Sequence, residues 1–177
     1  KITQRDMELL LTKTGTDMGN LRMEMEKLIS YTEGRDVVTA EDIEEICTTQ
    51  TTNRIFDMVR AVTEKNQKRA LELYYDLLTL KEPPMRILFL LAKQYRQLLL
   101  AKQFAAAGLA QTEIASKLGV PGFVVRNITT CARAYTISEL EQAVKDFVDA
   151  EESVKTGRLE DKLSVELLII KYSSKVK

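Results

Sequence analysis

Carboxylates come nearest to a catalytic arrangement in this sequence, because histidine is absent from all 177 residues. That absence excludes a Ser-His-Asp triad, a zinc site with imidazole ligands and imidazole acid–base work. No glycine-rich loop of the phosphate-cradling type occurs either. Catalysis by carboxylates alone stays open in principle. The acidic pairs are Glu24 and Glu26, Glu44 and Glu45, and Glu151 and Glu152. All sit on helical stretches beside basic residues, where a solvated helix face is the simpler reading. Cys47 and Cys131 lie in separate segments without metal-ligand spacing and read as buried thiols of a reducing compartment. The residues therefore call for no catalytic group, no cofactor and no metal.

The elements that hold these residues are helical. Seven glycines, three prolines and 45% apolar residues, with abundant Leu, Glu, Lys and Ala, predict an all-α soluble protein. A formal net charge of zero argues against general binding to nucleic acid or anionic membranes, and no long apolar run or signal peptide is seen. Lys rather than Met at position 1 reads as a piece of a longer protein. The organising stretch runs from Pro83 to Phe104, opened by two prolines that suit a first helical turn. Leu88, Leu91, Ala92, Tyr95, Leu98 and Leu99 form one apolar face at helical spacing. On the opposite side Arg86, Lys93, Arg96 and Gln97 alternate with Phe89, Leu90, Leu100 and Phe104. Apolar residues on that second side predict a core helix that also meets a partner. Phe89, Arg96, Gln97, Leu100 and Phe104 are the candidate partner interface, since Arg and Gln can bond across an interface while their stems pack.

Residues 1–48 read as three short helices. Thr3-x-x-Asp6 caps the first, with Ile2 and Met7 as its staple, and Gly15 ends it. Asp17 caps the second, which turns Met18, Leu21, Met25, Leu28 and Ile29 inward and stops at Gly34. Thr39-x-x-Asp42 caps the third, with Val38 and Ile43 as a staple. This segment carries six basic and eleven acidic residues, whereas Thr51 to Ile137 carries thirteen basic and six acidic ones. The polar T-T-Q-T-T-N run at the change of sign predicts a domain boundary near residue 49.

Beyond it, Asn53 and Asn66 are expected caps of the next two helices, ahead of the central one. After Gly108, Thr112 caps a short helix, Gly119 ends it and Pro121 starts another. The string E-I-A-x-x-L-G-V resembles the first helix and turn of a DNA-binding helix-turn-helix. Its would-be recognition helix opens on Pro121, Gly122, Phe123, Val124 and Val125, which cannot read base edges by hydrogen bonding. A structural corner is the favoured reading, and a helix-turn-helix DNA-binding protein centred on residues 112–133 is the alternative. Ser138-x-x-Glu141 caps a helix with Leu140, Ala143, Val144, Phe147, Val148 and Val154 inward as far as Gly157. Leu159 to Ile170 builds a last helix apolar most of the way round, which is expected to be sandwiched. About ten helices and no strand result.

Six strings, taken in order, resemble the delta subunit of the bacterial DNA polymerase III clamp loader. They are G-N-L-R-M-E-M-E-K-L from Gly19, V-T-A-E-D-I-E from Val38, N-R-I-F-D-M-V from Asn53, L-A-K-Q-Y-R-Q-L-L from Leu91, I-A-x-x-L-G-V from Ile114 and V-K-T-G-R-L from Val154. The resemblance spans essentially the entire chain. One departure is Glu151, where the family more often has Asp, and the charge is unchanged.

The resemblance implies that residues 1–48 are most of the helical lid of an AAA+ module and residues 49–177 a C-terminal collar domain. It implies a cytoplasmic, non-catalytic region of the polymerase holoenzyme, without cofactor or membrane contact. Its job would be to hold the subunit among the other loader subunits in a pentameric ring. Sliding clamp and primer-template DNA would be engaged by the full complex rather than by this chain. Gly19-Asn20-Leu21-Arg22 resembles the lid segment carrying the nucleotide-sensing Arg of ATP-hydrolysing relatives. A single Arg cannot hold a triphosphate without a backbone cradle, so Arg22 reads as a surface or interdomain residue.

Overall fold

The computed structural model describes residues 1–15, 17–47 and 51–174. Every regular element among them is a helix, and the chain divides into two compact units, Lys1–Arg54 and Ile55–Lys177. The T-T-Q-T-T-N run lies partly outside the described residues. Its Thr51 already belongs to a helix, so Asn53 sits inside that helix instead of capping it.

The first unit holds α1 (Gln4–Thr14), α2 (Met18–Tyr31) and α3 (Ala40–Ile46). Side-chain caps start all three, as the sequence requires. The Asp6 N–H donates to Thr3 Oγ1 at 3.1 Å and the Asn20 N–H to Asp17 Oδ1 at 2.9 Å. Thr39 and Asp42 form a reciprocal box, in which the Thr39 N–H donates to Asp42 Oδ2 at 2.9 Å. Gly15 ends α1 at φ 79°, a conformation that favours glycine. Leu10, Leu28, Ile43 and Cys47 are buried together, and Ile2, Met7 and Val38 pack onto them as the staples demand. The second helix departs from expectation. Met18 is 74% and Ile29 63% exposed, and α2 ends at Tyr31, short of Gly34. The buried arc of α2 is centred on Glu24 and Leu28, which leaves Met18 and Ile29 near its edge. Glu24 bonds Lys27 at 2.6 Å, so its burial is compensated. Burial, and then the Glu24 carboxylate, push the Cys47 thiol up to about 11.

The second unit contains most of α4 (Thr51–Thr63), whose first residues end the first unit, and α5 (Gln67–Thr79), α6 (Pro84–Ala106), α7 (Gln111–Leu118), α8 (Gly122–Ala132), α9 (Ile137–Lys155) and α10 (Asp161–Ser173). Helix α6 is its axis and packs against α7, α8, α9 and α10. Four neighbours explain why its buried face is wider than the apolar stripe. Ile87, Gln94 and Ala101 are buried along with Leu88, Leu91, Tyr95 and Leu98. Gly119, at φ 64°, turns the chain from α7 into α8.

Two caps fall earlier than the sequence suggests. Helix α7 begins after Ala110, whose N–H donates to Glu113 Oε2 at 2.8 Å, so Thr112 is not the cap. Helix α9 begins after Thr136, with Glu139 closing the box, so Ser138 lies in the first turn. The last helix is not sandwiched on all sides by described residues. Val165, Leu168 and Ile169 are buried, whereas Leu163 and Leu167 remain exposed. Val148 of α9 likewise faces outward.

An aromatic cluster joins α6, α9 and α10. The Tyr95 ring lies 5.0 Å from Phe147, 5.6 Å from Tyr172 and 5.8 Å from Tyr135, with its hydroxyl 3.0 Å from that of Tyr135. Lys65 adopts φ 56°, an unusual choice for a residue with a Cβ. Its ammonium donates to the Tyr172 carbonyl at 2.9 Å and sits over the Tyr135 ring, contacts that glycine could not make. Below the cluster, Asp146 accepts hydrogen bonds from Gln142 at 2.9 Å, Lys171 at 2.5 Å and the Tyr172 hydroxyl.

Burial alone would push the Asp146 carboxyl up. The Lys171 ammonium, the Tyr172 hydroxyl and the Gln142 amide outweigh burial and hold it below the usual carboxylate range. A depressed folded pKa contributes stability that is fully present above the unfolded value of about 4 and is lost as pH falls through the folded one. Urea midpoints of the native chain should therefore fall on acidification below about pH 4, and Asp146→Asn should flatten that part of the profile. An unchanged acid slope in the variant would remove Asp146 from the account.

Candidate functional site

The outward side of α6 is the candidate site. Proline at its first position needs no hydrogen-bond partner there, and no glycine interrupts the following turns. The same face therefore continues from Arg86 to Leu100. Phe89 is 65% exposed and Arg96 is exposed. Gln97 and Leu100 are half-buried at the margin. Phe104 is also half-buried, packs onto the core of its own unit and carries Lys117 Nζ 5.7 Å from its ring centroid. Of the five sequence-derived residues, the structure therefore puts Phe89 and Arg96 fully outward, leaves Gln97 and Leu100 on the flank, and turns Phe104 toward α7.

Lys93 belongs to this face and is missing from that set. It is exposed, four residues after Phe89 and three before Arg96, so it lies between them on the helix surface. The spacing was readable in the sequence. Lys93 stands on the second side in the sequence as well, and together with Arg96 it fixes the charge of that side. Arg86, one turn earlier, is paired with Glu82 at 3.1 Å. Lys93 and Arg96 have no carboxylate partner among the described residues.

Neither thiol is placed for chemistry. Cys47 and Cys131 are free and buried, and burial pushes the Cys131 thiol up as well. Arg22 is an exposed side chain paired with Glu26 at 2.9 Å across one helical turn, as a solvated helix surface would have it. Among the described residues no group of carboxylates and thiols could hold a metal ion, and no helix is long and apolar enough to cross a membrane. In the corner between α7 and α8, Ile114, Val125, Ile128 and Cys131 face the core, and Phe123 and Val124 are half-buried. The opening of α8 thus serves packing, and the helix-turn-helix alternative is not supported.

Fold and surface together define an all-helical protein of two compact units whose central helix turns an aromatic and basic face outward. The chain belongs to the DNA polymerase III delta subunit family, whose C-terminal domain matches residues 52–172. It is 27% identical over 168 residues to the DNA polymerase III subunit delta of Bacillus subtilis (strain 168), covering 95% of this chain and 48% of that protein. A probable DNA polymerase III subunit delta of Aquifex aeolicus (strain VF5) is 24% identical over 115 residues, covering 64% of this chain and 33% of that one. Among solved structures, the Bacillus subtilis DNA clamp loader delta protein superposes with a TM-score of 0.87 at 26% identity, covering 99% of this chain and 52% of that one. The chain spans about half the length of these Bacillus subtilis proteins.

Proposed function

We propose that this chain is a non-catalytic assembly region of a DNA polymerase III clamp loader, holding a delta subunit among the other loader subunits. The family match over residues 52–172 carries the reading. In this reading residues 1–48 are a lid-like helical module of an AAA+ region and residues 49–177 a helical collar that mediates oligomerisation. The other loader subunits are its direct partners, in the cytoplasm. Sliding clamp and primer-template DNA are met by the complete loader, which places the clamp on DNA during replication. Phe89, Arg96, Gln97, Leu100 and Phe104 supply the partner contact, with Lys93 added to them. An assembly role suits a helix bundle that keeps a large aromatic side chain in solvent on its central helix.

Mixed with the other subunits of a clamp loader from the same source, the purified chain should co-elute with them as one species in size-exclusion chromatography. Elution of the chain by itself at its own mass, with the remaining subunits assembled without it, would remove the proposal.

A further inference from the structure

The charge of the outward α6 face says what kind of surface covers it. Between Pro83 and Ser138 there are seven basic residues and one acidic residue, Glu113. That glutamate is already engaged, since its carboxylate accepts from the Ala110 N–H and caps α7. Several exposed cations elsewhere in the same unit are answered by carboxylates on their own helix or nearby, although among the described residues others, such as Lys68 and Lys145, are not. Arg60 pairs with Glu64, Arg69 with Glu72, Lys155 with Glu151 and Arg158 with Glu152. On α6, Lys93 and Arg96 are left unanswered beside an exposed phenyl ring. An unpaired cation is well hydrated in water and gains little from a second cation three residues away. It gains when a carboxylate approaches in a setting that the neighbouring apolar groups help to dry.

We infer that the α6 stripe of Phe89, Lys93, Arg96 and Leu100 docks into an apolar pocket rimmed by carboxylates on another clamp-loader subunit. The inference rests on the assembly reading above and gives the partner's surface a chemistry. Phe89 is the anchor, since an aromatic side chain brings large contact area for few frozen torsions. Arg96 and Lys93 supply charged bonds at the rim, which set orientation and encounter rate more than bulk affinity. The stripe runs about 16 Å along the helix, three turns that a single pocket and its rim can cover.

A nucleic-acid strand is the competing occupant, and the face suits it less well. Only two free cations stand on it, both bracketed by apolar side chains, whereas a strand presents a phosphate at every nucleotide. The convex surface of a helix also offers no cleft into which a base could turn.

The test is sedimentation velocity of the chain with the other loader subunits, at low and at high salt. It compares the native chain with Lys93→Glu/Arg96→Glu, Lys93→Ala/Arg96→Ala and Phe89→Ala, each checked for unchanged helical content by circular dichroism. The charge reversal should weaken assembly about tenfold or more, the neutral pair and Phe89→Ala less, and salt should weaken the native assembly but hardly that of the reversal. Native assembly with all three variants assembling equally well would overturn the inference while leaving the assembly role intact. Failure of the native chain to assemble would remove the assembly role and this inference with it. Two further arms discriminate the occupant. Binding of an oligothymidylate or a short duplex, measured by anisotropy and lost in the charge reversal while assembly persists, would reassign the face to a polyanion. Self-association of the chain alone, lost in the same variant, would reassign it to a second copy.

Discussion

Tyr95→Ala should lower the stability of the second unit by about 3–5 kcal/mol, the range for large aromatic-to-alanine truncations in packed cores. Tyr95 is 1% exposed and touches three other aromatic rings from α6 outward, and rigid rings refill a vacated space poorly. The truncation also strands the Tyr135 hydroxyl, whose partner at 3.0 Å is the Tyr95 hydroxyl. Against a domain stability of order 0.05–0.15 kcal/mol per residue, this is a large fraction of the whole. Tyr95→Phe separates the two contributions. It keeps the ring and loses the hydroxyl, and should cost about 1–2 kcal/mol. Urea denaturation of the two variants reads both values. Equal losses would mean that the hydroxyl pair, and not the ring packing, dominates this part of the core.

Ile43→Ala should act on the first unit and do so out of proportion to its size. Among the described residues, Leu10, Leu28, Ile43 and Cys47 form the buried apolar centre there, in a unit of the residues Lys1–Arg54. Removing a buried isoleucine side chain costs about 2–5 kcal/mol, whereas a unit of this length is expected to hold about 3–8 kcal/mol in total. The variant should therefore open α1, α2 and α3 well before the second unit unfolds. Native-state hydrogen exchange would show their amides losing protection while α5 to α10 keep theirs. Uniform loss across both units would show that they unfold as one, and no loss at all would show that Ile43 is not the centre of its core.

Local signals were the most legible part of this fold. Thr3, Asp17 and Thr39 cap their helices because a short oxygen-bearing side chain before an apolar periodic run satisfies free N–H groups wherever it sits. The segment T-I-S-E-L-E contains two overlapping boxes, Thr136 with Glu139 and Ser138 with Glu141, and local rules do not choose between them. Tertiary packing favours the first. Tyr135 is buried with its hydroxyl against Tyr95, so the chain is fixed there and the helix starts at the next opportunity. The same limit applies to the candidate site. Periodicity grouped Phe89, Arg96, Gln97, Leu100 and Phe104 on one side, but whether α7 would cover Phe104 is a question of packing between elements distant in sequence.

By itself the sequence determined the all-helical class, the order of the helices, most of their starts and the absence of imidazole chemistry. These follow from periodicity, caps and composition, which act over a few residues or need no geometry at all. The six ordered strings also pointed to the family, which the match over residues 52–172 shows. Only the tertiary structure decided which apolar residues stay in water. Met18, Ile29, Phe89, Val148, Leu163 and Leu167 share hydropathy with their buried neighbours, yet among the described residues nothing covers them. Burial is a property of pairs of surfaces. A helical period gives the direction in which a side chain points, and the fold alone supplies whatever stands opposite it.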